Sequence, residues 1–395
     1  MTDLSLSERV APKRMDRVNE VKVKEPILIG SKAHAAFVML IFCNLLVTVG
    51  WGQGHVDLAF GDYPKLVEKR NKIQQNDPST RSAYQSLIAK ADRALDQGAV
   101  SVVHKKRIAP SGDKHDYLSL APYWWPDPQK ADGLPYIRRD GRVNPATRGN
   151  NVDYPAKEHF FGLVNTLAMA AFYSEDPIYA RKAVVLLEAW FVDPKTRMNP
   201  HLEYAQGVPG RSDGRGFGII EWCDIDKLIT PIQLLRASDS FPEPTYQAIV
   251  NWFKAYVHWL QTSEKGQYER DRLNNHGTWY DVQVVGILLF LGKQVQARKV
   301  LEDVKTKRIA VQIEPDGRQP RELTRTKSLS YSKMNLSAFK RLVGLGKKVG
   351  VDLWDYETPD GRSVRKAEAF LAPYTRGEKK WEDPQLGSTN RAIKK

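Results

Sequence analysis

The chain has 395 residues, 42% of them hydrophobic and 10% aromatic; it can bury a large core, which excludes a disordered polypeptide. A net charge of +14 with 10 Trp and 16 Tyr suits a protein that attracts a polyanion and stacks sugar rings. No nucleic-acid motif or dense basic run accompanies that charge, so nucleic acid is not the expected partner.

Residues 1–32 are polar, and a run from Ala33 to Gly50 follows that is apolar apart from His34, Asn44 and Thr48. This pattern predicts an export signal ending near Gly50-Trp51-Gly52, with an uncleaved N-terminal anchor as the alternative. Residues 1–52 are thus expected to be a leader and 53–395 one domain. The expected location is periplasmic or secreted, with no stable membrane association after signal cleavage. Cleavage would leave Cys223 as the one cysteine, so no intramolecular disulfide is expected.

Past Gln53, helical periodicity dominates. Helices are predicted over 80–97, 157–174, 218–237, 278–292, 294–311, 328–349 and 363–372. Ala180, Ala183, Val184, Leu187, Trp190 and Phe191 form another buried face, as do Trp252, Phe253, Tyr256, Val257 and Leu260. Breaks fall at Asp176-Pro177, Asp193-Pro194, Phe241-Pro242 and Pro315-Asp316-Gly317. Alternating strands are not apparent. Segments 104–155 and 196–217 lack helical periodicity and read as long ordered loops over a functional surface. The glycines within 207–218 match no phosphate-binding pattern and read as turn glycines. Helix pairs joined by short turns predict an all-α fold, an (α/α) toroid or incomplete α/α barrel. Globin-like or solenoid packing would give the same periodicity.

The polar run Asn274-Asn275-His276-Gly277-Thr278-Trp279-Tyr280 heads one apolar helix, and Arg321-Glu322-Leu323-Thr324-Arg325 with Tyr331 follows some way on. These residue types match one chemistry. The C5 proton of a uronic acid is weakly acidic, and removing it builds charge onto the adjacent carboxylate. Donors must be waiting there, and Asn275 and Arg325 are suited to that task. A base must take the proton and an acid must protonate the departing O4; His276 and Tyr331 can fill those roles. Tyrosine's ordinary pKa of ~10 suits an acid better than a base. Each residue also has a plainer reading: a helix cap for Asn274 or Asn275, a satisfied core histidine, an Arg325–Glu322 pair, a core tyrosine.

Four blocks in order carry a resemblance. They are Asp116-Tyr117-Leu118-Ser119-Leu120-Ala121-Pro122-Tyr123-Trp124-Trp125-Pro126-Asp127, Asn199-Pro200-His201-Leu202-Glu203-Tyr204-Ala205-Gln206, Asn274 through Asp281, and Pro315 through Arg325 with Tyr331 and Asn335. The chain resembles the alginate lyase superfamily, polysaccharide lyase families 5 and 38, whose fold is an α/α toroid. The resemblance implies Asn275 and Arg325 as carboxylate neutralisers, His276 as base or its assistant, and Tyr331 as acid, or acid and base both. Two features depart from family 5: Gly277-Thr278 replaces Ser-Tyr before Trp279, and the Arg325-to-Tyr331 interval is one residue shorter. The implied substrate is an anionic polysaccharide: poly-mannuronate, glucuronan or another 4-linked uronan.

Trp124, Trp125, Tyr204 and Arg211 are candidates for sugar stacking and subsite contacts, and Asn199 or Gln206 for an alternative neutralising amide. No metal or organic cofactor is expected, because His104, His115, His159, His201, His258 and His276 show no paired ligand spacing. Two other functions compete. A glycoside hydrolase would use carboxylates such as Glu221, Asp224 and Asp226. A non-catalytic uronan-binding protein would need the aromatics and charge but not the His276/Tyr331 pair. Nothing in the sequence bears on oligomeric state.

Overall fold

Asp77-Pro78 and Asp176-Pro177 each open a helix in the computed structural model, which describes residues 56–387. In both, the aspartate side chain accepts the N–H two residues on, from Ser79 and Ile178, and proline occupies a position where no N–H is missed. The leader expected over 1–52 lies outside the described residues. Helix α1 (Tyr63–Gln74) precedes α2 (Pro78–Leu95), and α3 (Tyr154–Ser174) leads into α4 (Pro177–Phe191). Then follow α5 (Asp226–Arg236), α6 (Glu243–Thr262), α7 (Glu264–Arg270), α8 (Asn275–Phe290) and α9 (Gln294–Val304). Short α10 (Ala310–Gln312) and α11 (Pro320–Leu323) precede α12 (Ser328–Lys348) and α13 (Val364–Thr375).

Helices pack mainly on their neighbours: α3 on α4 and α5, α8 on α9, α12 on α8 and α13. Every residue from Gly277 to Leu288 is buried, so α8 is a central helix, apolar on nearly all sides. Aromatic pairs fill the layers between helices; Phe160 stacks on Trp190 at 4.4 Å between centroids, and Trp222 on Trp252 at 5.6 Å. The expected all-α architecture holds: the chain folds as an α/α toroid. No described helix is long and apolar enough to cross a membrane.

Four short strands escaped the sequence pattern. β1 (Leu118–Leu120) pairs in parallel with β4 (Tyr204–Gly207), and β2 (Trp124–Trp125) runs antiparallel to β3 (Ile137–Arg138). At two to four residues they are too short for alternation to show, yet β1 with β4 ties the two long loops together and β2 with β3 braces the first. The helix expected over 218–237 is split: a 3-10 turn at Gly216–Trp222 precedes α5. The turn presses Gly218 against Ala205 and leaves no room for a Cβ. Gly214 meets the Glu203 backbone in the same way, so these are close-approach glycines; of those in 207–218, Gly210 is the one with positive φ. The helix expected over 294–311 is interrupted by a π turn at Lys305–Ile309. That turn aims Arg308 inward at Asp281 and at the carbonyls of Arg270 and Arg272.

Helix α12 starts with no side-chain cap from its own N-cap residue, Lys327. The C-terminal segment supplies one. Gln385 Oε1 accepts the N–H of Leu329 at 3.0 Å and of Ser330 at 3.3 Å, and the Pro384 carbonyl accepts that of Ser328 at 2.9 Å. Gln385→Ala is therefore expected to lower stability by about 0.5–2 kcal/mol. Urea unfolding reads it as a lower midpoint with an unchanged slope; an unchanged midpoint would mean that solvent replaces the cap.

Candidate active site

The head of α8 is organised by a carboxylate 47 residues away. Asn274, at the N-cap, makes no side-chain cap bond. Instead Glu322 on α11 accepts both the backbone N–H and the side-chain amide of Asn275, each at 2.7 Å. An anion at a helix N-terminus is favoured by the helix dipole. Burial pushes the Glu322 carboxyl up, more than the two Asn275 hydrogen bonds bring it down. Because an ionised carboxylate only accepts, it fixes which end of the Asn275 amide faces it. Asn275 Oδ1 is buried and has no partner among the described residues.

Arg325 does not pair with Glu322. Its partner is Asp140, from the first long loop: Nη2 reaches Oδ1 at 2.9 Å and Nε reaches Oδ2 at 3.3 Å. Burial would raise Asp140, but hydrogen bonds from Arg325 and Thr326 and the Arg325 charge overcome this and hold its carboxyl well below the usual range. Nη2 also donates to the Tyr331 hydroxyl at 3.0 Å, and the guanidinium lies 4.1 Å from the centre of that ring. Nη1 has no hydrogen-bond partner among the described residues. Tyr331, on the first turn of α12, donates in turn to the Tyr123 hydroxyl at 2.8 Å. Burial, reinforced by that bond, raises the Tyr331 phenol well above tyrosine's ordinary pKa, so it stays protonated at neutral pH.

His276 lies on the other side of Asn275. Its Nδ1 is 2.6 Å from Oε1 of Glu269, a fully buried residue of α7, and the edge of Phe217 packs on the imidazole at 4.9 Å between centroids. Glu269 Oε2 has no partner among the described residues. Arg215 extends the chain of contacts. It donates to the Gln206 carbonyl and side chain, each at 3.0 Å, and lies 5.2 Å from the Phe217 ring and 5.8 Å from that of Trp124. Arg211 lies 5.4 Å from the same indole. Trp124 follows Tyr123 in the chain, His276 follows Asn275, and the Arg325 backbone N–H bonds the Glu322 carbonyl at 3.1 Å, so contacts and chain adjacency together link Tyr331, Tyr123, Trp124, Arg215, Phe217, His276, Asn275, Glu322 and Arg325 into a ring.

The four expected catalytic residues therefore lie in this one ring, as does Trp124, while Gln206 and Arg211 touch it through Arg215 and Trp124. Trp125 is turned to its own loop: its indole N–H bonds the Arg142 carbonyl and Arg139 lies over its face. Asn199 also serves elsewhere, donating its amide to Asp113 at 2.9 Å and Asp116 at 2.7 Å. Tyr204 is half-buried in β4. Glu269, Glu322, Asp140, Tyr123 and Arg215 are site residues that sequence reasoning did not single out. Glu322 and Tyr123 lay inside recognised blocks; Asp140 and Glu269 carried no local signal, since their partners come from other elements. Among the described residues, no group of three or more His, Cys, Asp or Glu is arranged to hold a metal ion.

The carboxylates considered for hydrolysis are committed to structure. Glu221 is buried and accepts from Tyr117 and Ser119 at 2.8 and 2.7 Å; Asp224 pairs with Lys157 and Lys227, and Asp226 with Arg341.

A family model described as alginate lyase matches residues 101–381. The chain is similar to a solved alginate lyase from Bacteroides ovatus, with 38% identity and a TM-score of 0.80 over 84% of this chain and 87% of that one. It shares its fold with alginate lyase A1-III from Sphingomonas species A1, with 18% identity and a TM-score of 0.53 over 85% and 84% of the two chains. A variant of A1-III complexed with a tetrasaccharide is 17% identical with a TM-score of 0.53, over 82% of this chain and 80% of that one. No curated protein matches the sequence significantly. The family match over most of the chain and the similarity to the Bacteroides ovatus enzyme establish that this chain belongs to the alginate lyase family and is a polysaccharide lyase.

Proposed function

We propose that the enzyme cleaves a 4-linked uronan, poly-mannuronate or glucuronan being the preferred forms, by β-elimination carried out by its own side chains. The carboxylate of the sugar to be cleaved is received by Arg325 Nη1 and by the second N–H of Asn275 Nδ2, whose first N–H Glu322 holds, and these donors neutralise the charge that grows on it. Nε2 of His276 takes the C5 proton, the electron pair forms the C4=C5 bond, and O4 leaves with the proton of Tyr331. Glu269 holds the imidazole by Nδ1 and stabilises the imidazolium that results. Charge neutralisation comes from Arg325 and Asn275, so the step as written needs no metal.

The observation that carries this reading is the Arg325–Tyr331 pair. A protonated phenol sits 3.0 Å from the guanidinium that receives the substrate's charge, so acid and charge sink are placed together. The A1-III complex with a tetrasaccharide agrees with an oligosaccharide binding to a toroid of this kind. Residues 53–395 are read as the catalytic domain and 1–52 as an export leader.

The test is ultraviolet absorbance of the purified enzyme with poly-mannuronate, poly-guluronate and glucuronan, in buffer containing a chelator. A rise from the new C4=C5 bond is expected, and the fastest substrate names the preference. New reducing ends without absorbance would overturn elimination in favour of hydrolysis.

A further inference from the structure

Building on the uronan reading above, we propose that Arg272 and Arg321 form a second carboxylate subsite, which holds a neighbouring uronate of the same polysaccharide chain. A cleft of about 700 Å³ is lined by Phe217, Arg272, Asn274 and Arg321 among others. It opens beside the catalytic ring, because Phe217 packs on His276 and Asn274 immediately precedes Asn275.

The charges in this cleft do not balance. Two acids also face it, Asp271 and Glu314. Asp271 is held by Arg270 at 2.8 and 3.2 Å, and Glu314 lies 3.7 Å from Arg362. The two arginines have no such match. Arg272 lies 4.0 Å from the centre of the Tyr268 ring and hydrogen-bonds the Tyr268 carbonyl and hydroxyl, but pairs with no carboxylate among the described residues. The guanidinium of Arg321 has no hydrogen bond or ion pair among the described residues. Arg308, by contrast, is neutralised in place by Asp281.

An unmatched planar guanidinium in a cleft is a receiver for a planar carboxylate. A 4-linked uronan offers one carboxylate per sugar, and Asn275 with Arg325 uses a single one of them. The next needs a cation beyond the catalytic ring, where Arg272 and Arg321 stand.

The experiment compares wild type with Arg272→Ala, Arg321→Ala, the double variant and Arg321→Lys on a uronan polymer. Each single alanine variant is expected to raise KM about fivefold and the double variant more than about tenfold, with kcat within about twofold. Arg321→Lys keeps the charge without the fork and should fall in between. An unchanged KM in the double variant would overturn the subsite. Should the wild type eliminate no uronan at all, the reading of the reaction fails on its own, and calorimetric binding of a uronate tetrasaccharide decides the subsite. Affinity lost in the double variant sustains it; equal affinity, or no binding to wild type, overturns it.

Discussion

Tyr331→Phe is expected to lower kcat by about 10²–10⁴-fold, the usual loss when a positioned acid is removed, while KM changes little. Phenylalanine keeps the ring against the Arg325 guanidinium, 4.1 Å away in the native protein, and removes only the hydroxyl. Asp140 continues to hold Arg325, so the carboxylate receiver should survive the change. Steady-state kinetics by absorbance measures it, and a kcat near wild type would remove Tyr331 from the mechanism. The pH profile separates its two possible roles. Burial and the bond to Tyr123 raise the phenol's pKa, so its protonated form persists to higher pH than an ordinary tyrosine's. As acid alone, Tyr331 imposes no loss of activity up to and beyond about pH 10. Were it also the base, kcat/KM would climb steadily through the alkaline range, because the required phenolate would form only there.

Glu269→Gln is the second large effect, expected to reduce kcat roughly 10²-fold with KM little altered, and His276→Ala should lose about 10²–10⁴-fold. The reason lies in the geometry of Glu269. It is fully buried, the one hydrogen-bond partner of its carboxylate among the described residues is His276 Nδ1 at 2.6 Å, and the other carboxylate oxygen has none. A buried carboxylate so placed gains most from an imidazolium, the species that the proposed transfer of the C5 proton to His276 creates. Glutamine keeps the volume and a hydrogen bond but cannot supply the charge. Glu269→Asp should recover part of the rate, since the charge returns at a longer reach. If Glu269→Gln raised KM and left kcat intact, the residue would serve only to pack the head of α8. Equal rates for the Gln and Asp variants would likewise remove charge from the account.

The helices and the polar blocks were legible for different reasons. α4 and α6 bury one face each, so their apolar positions recur at three- and four-residue spacing. α1 was missed because just Tyr63 and Ile73 of its twelve residues are buried, too few to form a stripe. The single helix expected over 218–237 failed because Gly218 must approach Ala205, a contact with a different segment. Arg308 interrupts the helix expected over 294–311 for a similar reason, reaching a buried aspartate on α8. Local periodicity carries no information about either partner.

The sequence by itself determined the kind of protein this is. Its apolar periodicity specified an all-α chain, and the polar blocks around Asn275-His276 and Arg325-Tyr331 specified which side chains are available for elimination chemistry. Those are properties of neighbouring residues, set by helix geometry and by side-chain chemistry. The tertiary structure alone decided who pairs with whom. Asp140 displaced Glu322 as the partner of Arg325, Glu322 went to Asn275, Glu269 took His276, and Asn199 was withdrawn to Asp113 and Asp116. A carboxylate's partner is set by distance in space and by the need to satisfy charge once water is excluded, and residues 185 positions apart in the chain, such as Asp140 and Arg325, become neighbours only when the toroid closes.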